Sequence, residues 1–329
     1  MNREAVAADV AVRSRLNTHD VARWGRSLVP YLGLILVYGF FAITQGRYGF
    51  ATWSNAESIV EQIAPVAVMA MGYTFTLGGG EMDLSIGGTV ALVALTAAVL
   101  LQTLPAPLAV AASLGVGAAV GLTNGLLTVL LRVPSFLITL GMATVVTGLA
   151  ERLTSLQAVA ITNQGFNSIF GSGAVGPLPS LLLWVVGILV LGHLVLRKTR
   201  FGRHVLAVGG NREAAASLGL PVARIRVSVL VISSLAAALA GLLYAGRLQG
   251  ADYTLGSTDL LTVIAAAVIG RTSLFGGRSS VAGALVGALL LGVLAEGLIL
   301  MGLGIADQMI AEGAVVIVAV ALTLREKAT

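Results

Sequence analysis

Two carboxylates, Glu81 and Asp83, stand in LGGGEMDLSIGG, residues 77–88, which holds five glycines in twelve positions and interrupts two long apolar runs. Glycine-rich backbone can cradle a phosphate, but no basic residue accompanies this one and two carboxylates repel an anion. The residue types suit a helix break instead. Asp83 or Ser85 can accept from the orphan N–H groups of a following helix, and the glycines at 78–80 permit the turn before it. Glu81 has no part in that task, so its partner, whether solute, protein or water, is the open question. A second break, residues 270–280, carries Thr272, Ser273, Gly276 and Gly277 and likewise leads into a helix rich in small residues. The two breaks suggest a weak internal repeat in the same direction. Glu296, inside an apolar run, is costly there unless it faces protein, water or a partner, or snorkels to the interface.

Other chemistries find no support. Cysteine is absent and His19, His193 and His204 are scattered, which leaves no thiolate site and no histidine cluster for a metal. The only lysines are Lys198 and Lys327, and no G-x-x-x-x-G-K-[ST] loop occurs. No nucleophile elbow or zinc-binding His-Glu-x-x-His appears either. The chain is therefore expected to be no enzyme and to hold no cofactor of its own.

The elements that must position these residues are membrane helices. Hydrophobic residues make up 57% of 329, charged residues 11%, and mean hydropathy is +0.95, well outside the range of soluble domains. Apolar runs recur near the length of about 20 residues that crosses a bilayer as a helix. Breaking the chain at Pro, Gly clusters and charges gives an all-α integral membrane protein with about ten spans: 27–45, 58–77, 83–104, 107–131, 135–152, 178–196, 226–247, 258–275, 280–301 and 305–324. With the N-terminus inside, 17 of the 20 basic residues fall on the cytoplasmic side. That distribution puts both termini in the cytoplasm and explains the basic charge without nucleic acid. Residues 1–26 then form a cytoplasmic tail and 27–325 the membrane domain. The external segment 153–177 is either a short helix capping a mouth or a plain connection.

The cytoplasmic segment 197–225 is better organised. Asn211 suits an N-cap, Glu213 the first turn, Gly219 the residue after the C-terminus, and Pro221 forbids continuation. The result is a helix of about two turns, with alanines that allow close seating in another protein's groove.

Glu213, Ala214 and Ala215, followed after three residues by Gly219, resemble the EAA---G coupling motif of bacterial ABC importer permeases. The longer stretch VLAVGGNREAAASLGLPVARIR, which includes Gly209 and Gly210, is similar to the sugar-importing branch typified by the ribose permease. So are the segment ending in Asp83-Leu84-Ser85, the run Gly270-Arg271-Thr272-Ser273-Leu274-Phe275-Gly276-Gly277, and Gln308-Met309-Ile310, all in the family's order. The family usually has a small residue where Glu81 stands and glycine where Arg271 stands. The resemblance implies a permease of the bacterial inner membrane that binds an ATPase subunit through 209–219. It also implies a second permease copy or paralogue, an extracytoplasmic sugar-binding protein, and ATP with Mg2+ held by the ATPase. Residues 79, 80, 81, 83, 85, 272, 273, 276, 277 and Glu296 are expected along the pathway or its helix breaks. The alternative is an ion-coupled transporter using Glu296, Asp307 or Glu312, which would need no cytoplasmic docking helix.

Overall fold

A computed structural model describes residues 28–328, so the expected tail at 1–26 lies outside the described residues. Helices occupy all ten expected segments: α1 (Leu28–Thr44), α2 (Trp53–Gly78), α3 (Ile86–Leu100), α4 (Ala106–Leu130), α5 (Ser135–Thr154), α7 (Ser180–Lys198), α10 (Val222–Leu248), α11 (Asp259–Ile269), α12 (Val281–Leu300) and α13 (Ile305–Ala328). Between them lie the short α6 (Gln164–Asn167), α8 (Arg200–Gly210) and α9 (Arg212–Ser217). By length and composition, six of the described helices are fit to cross a membrane: α2, α4, α5, α7, α10 and α12. α1, α3 and α11 are apolar but shorter.

Two expected spans need correction at their ends. The segment 258–275 is helical only to Ile269, and its 11 residues rise about 16 Å, roughly half a hydrocarbon core. The segment 83–104 is helical only from Ile86 to Leu100. In both, the glycine-rich break takes residues that hydropathy alone assigns to the span.

α2 forms the centre of the bundle, packed by α10, α12, α7 and α11. Lipid supplies no hydrophobic drive between helices, so close backbone approach must hold such a bundle together. Gly117, Gly121 and Gly125 recur every fourth residue of α4, and a Cβ at any of them would strike α10. Gly287 of α12 lies equally close to the backbone of α11, and Gly283 to that of Gly270, which ends α11.

The segment after α5 is folded rather than extended. Val159–Ala160 pairs with Gly250–Ala251, α6 follows, and a short hairpin joins Ala174–Val175 to Leu178–Pro179. Phe166, Phe170 and Trp184 stack in series, with centroid distances of 5.0 and 5.3 Å.

Candidate functional site

The two breaks and the α8–α9 corner meet at one end of the bundle. Gly277 N–H donates to the Gly78 carbonyl at 3.0 Å, and the Ser279 hydroxyl donates to Thr74 O at 2.7 Å. Gly209 lies against this joint so closely that a Cβ there would overlap the Gly78 carbonyl, and one on Gly276 would overlap the Gly209 carbonyl. Three glycine segments from distant parts of the chain are thus stacked backbone on backbone.

α9 projects from this joint with punctuation at both ends. The Asn211 side chain accepts from Ala214 N–H at 2.9 Å. Gly219 has φ +76°, its N–H reaches Ala216 O, and Leu220 N–H reaches Ala215 O at 3.1 Å. These two bonds form a Schellman closure, which uses the carbonyls a helix end otherwise leaves open. Ala215 is the buried contact, while Arg212, Glu213, Ala214, Ala216, Ser217 and Leu218 are exposed. Before α9 comes α8, an eleven-residue helix, and Gly209 and Gly210 lie in its last turn.

Glu81 is 2% exposed and buried against the corner. Arg212 Nη2 donates to its Oε1 at 2.7 Å, Arg226 Nε donates to the same oxygen, and Arg226 Nη2 donates to Oε2 at 3.3 Å. The partner that sequence left open is a pair of guanidiniums, one on α9 and one in the first turn of α10. Sequence marks Arg212 and Arg226 only as cytoplasmic basic residues, Arg212 within the expected helix, and does not pair them with Glu81. The signal available was that an acid with no capping task, set between two long apolar runs, needs a cation.

Asp83 and Ser85 behave differently from solvated caps. Asp83 is fully buried, accepting from Ser85 N–H at 3.0 Å, Ser85 Oγ at 2.6 Å and Ser234 Oγ at 3.4 Å. The Ser85 side chain makes no capping bond to α3 and instead accepts from Asn124 Nδ2 at 2.9 Å. Two of the break's N–H groups are met by α5, Met82 N donating to Ser135 Oγ and Leu84 N to Thr139 Oγ1, and two by α2, Asp83 N donating to Tyr73 OH and Glu81 N to Thr76 O. The Ser135 and Thr139 hydroxyls went unnoticed in the sequence. Gly79 and Gly80 turn the chain, Gly80 at φ +73°.

In the second break, Thr272 Oγ1 accepts from Ser280 N at 3.3 Å and Ser273 Oγ from Phe275 N at 3.2 Å. Both hydroxyls are buried and serve their own turn. Gly276 and Gly277 take φ +84° and +77°, and Arg271 takes φ +70°. Glu296 stands apart on α12, half-buried, away from the joint. Asp307 accepts from Gly304 N–H at 3.2 Å, and Glu312 accepts from Thr262 at 3.3 Å. The described residues hold no group of three His, Cys, Asp or Glu fit for a metal.

A polytopic helical bundle whose broken helices press on an exposed, double-capped helix has the build of a membrane transport subunit. Residues 55–322 match the family described as branched-chain amino acid transport system / permease component, and the chain belongs to that family. It is 36% identical over 298 residues to the L-arabinose ABC transporter permease protein AraH of Azospirillum brasilense, covering 89% of this chain and 87% of that one. It is 35% identical to the ribose import permease protein RbsC of Escherichia coli K12, covering 90% and 92%, and to that of Bacillus subtilis 168, covering 92% and 94%. No solved structure matches the chain.

Proposed function

We propose that this chain is the membrane-spanning permease of an ATP-driven, binding-protein-dependent importer that moves a sugar or sugar-like solute into a bacterial cytoplasm. The family description names amino acids, yet the relatives aligned over nearly their whole length are named for arabinose and ribose, which favours a sugar. The same alignments disfavour an ion-coupled transporter.

In this reading all ten long or apolar helices cross the inner membrane, α3 and α11 completing their crossings through the glycine breaks. Both termini and the α8–α9 corner face the cytoplasm, consistent with the basic residues gathered there. α9 enters a groove of an ATPase subunit, which holds ATP and Mg2+. A sugar-binding protein delivers solute from outside, and a second copy or a paralogue completes the pathway.

The carrying observation is the stacked joint. Gly209, just before α9, touches Gly78 and Gly276, so a displacement of α9 moves both helix breaks together. Glu81 adds an ionic tie from the first break to Arg212 on α9 itself. Packed backbones repack between discrete arrangements, which is how a small motion at α9 becomes alternating access.

The test is uptake and ATP hydrolysis in the reconstituted transporter. Glu213→Arg and Gly219→Pro should abolish uptake while the permease still inserts. Normal uptake by both variants with the ATPase fully docked would overturn the assignment, as would a chain that transports with no ATPase present.

A further inference from the structure

Beside the joint lies a cavity of 460 Å3, walled by Arg212 of α9, Arg226 of α10, Glu81, and Arg132 with Phe136 from the α4–α5 connection. Three arginines and one carboxylate, Glu81, line it, an excess of two positive charges. Glu81 engages one nitrogen of Arg212 and two of Arg226, which leaves most of their donors unspent. The Arg132 side chain enters no hydrogen bond or ion pair among the described residues. Its backbone holds φ +56°, a left-handed conformation that an L side chain enters only at a cost.

The surface next to the cavity is apolar, and of its side chains Phe136 also lines the cavity. Leu130 and Leu131 precede Arg132, and with Phe136, Leu137 and Leu140 of α5 they present exposed apolar side chains. A ligand filling this place carries an anion for the guanidiniums, and an apolar portion suits the flank. A lone carboxylate would leave much of the volume empty.

The geometry points to a phosphate-binding site at Arg132, Arg212 and Arg226, fitted to the headgroup of an anionic phospholipid in the leaflet that bathes α4 and α5. Basic pockets at the ends of membrane helices bind such headgroups by charge-assisted hydrogen bonds. The inference rests on the membrane placement proposed above but not on docking of an ATPase. A phosphate held here shares Arg212 and Arg226 with Glu81, so lipid charge acts on the same tie that holds α9.

The experiment uses the purified full-length permease without ATPase, so failure of the coupling reading leaves it intact. Retention of phosphatidylglycerol and of phosphatidylcholine is measured by native mass spectrometry, with thermal stability followed in added inorganic phosphate. We expect preferential retention of phosphatidylglycerol, weakened about tenfold in Arg132→Gln, the equivalent of about 1.4 kcal/mol. Arg132→Lys should keep most of it, and Arg278→Gln, a basic residue outside the cavity, should match the unaltered chain. If millimolar phosphate stabilises the chain in an Arg132-dependent way while phosphatidylglycerol is not retained, the site stands and its source is free phosphate. Equal retention of both lipids with no effect of phosphate, or unchanged binding in Arg132→Gln, overturns the proposal.

Discussion

Arg226 holds Glu81 through both carboxylate oxygens, Nε on Oε1 and Nη2 on Oε2, with the acid 2% exposed and the arginine side chain 12% exposed. Removing one partner of a buried pair strands the other charge at a cost of about 3–5 kcal/mol, whereas apolar replacement of both is often neutral. Arg212 is 45% exposed, so water softens the loss on that side. Glu81→Gln should therefore destabilise the permease by about 2–3 kcal/mol, and the apolar pair Glu81→Met with Arg226→Met should lose much less. Thermal unfolding of the two purified variants checks this, and equal stability of the single variant and the parent would dismiss the tie.

Gly209 and Gly210 are neighbours with opposite prospects. A methyl at Gly209 meets the Gly78 carbonyl, while one at Gly210 finds only Gly277 Cα at 3.8 Å. Gly209→Ala should cost about 1–3 kcal/mol through overpacking and depress uptake. Gly210→Ala should be neutral or gain up to about 1 kcal/mol from lower chain entropy. Parallel measurement of unfolding and uptake separates the two, and equal effects would dissolve the stacked joint.

Asn211 caps α9 by a single side-chain bond to Ala214 N–H. Asn211→Ala should lose about 1 kcal/mol of local stability, seen as faster amide exchange across 212–217 and weaker ATPase binding. Asn211→Asp keeps the acceptor and should behave as the parent does in both measurements.

Arg271 sits at φ +70° with an exposed side chain. Glycine removes the left-handed penalty, about 1–2 kcal/mol, so Arg271→Gly should raise the unfolding midpoint and leave uptake unchanged. A drop in stability would show that the side chain has a job its backbone strain conceals.

The absence of cysteine allows sidedness to be read without background. Single cysteines at Leu218 and at Tyr48, both exposed, should label from opposite sides of intact membrane vesicles. Labelling from the same side would break the orientation proposed here.

Sequence alone determined the class and the local features. Hydropathy places the helices because crossing a bilayer demands length and apolarity, and both are local sums. The ends of α9 were legible because Asn211, Gly219 and Pro221 act on backbone within a few residues. Where chemistry depended on distant chain, sequence ran out. Glu81 meets Arg212 and Arg226, 131 and 145 positions away, and Asp83 is buried and bonded to Tyr73 of α2 and Ser234 of α10 although local spacing presents it as a cap. The limits of α3 and α11 differ from the expected spans because Asp83, Ser85, Thr272 and Ser273 are paired inside the protein, so polar residues that read as the ends of spans belong to the folded breaks instead. Only the tertiary structure decided that both breaks and the α9 corner stack at one point. Glycine permits such approach wherever it occurs, but which backbones come together is set by the packing of whole helices.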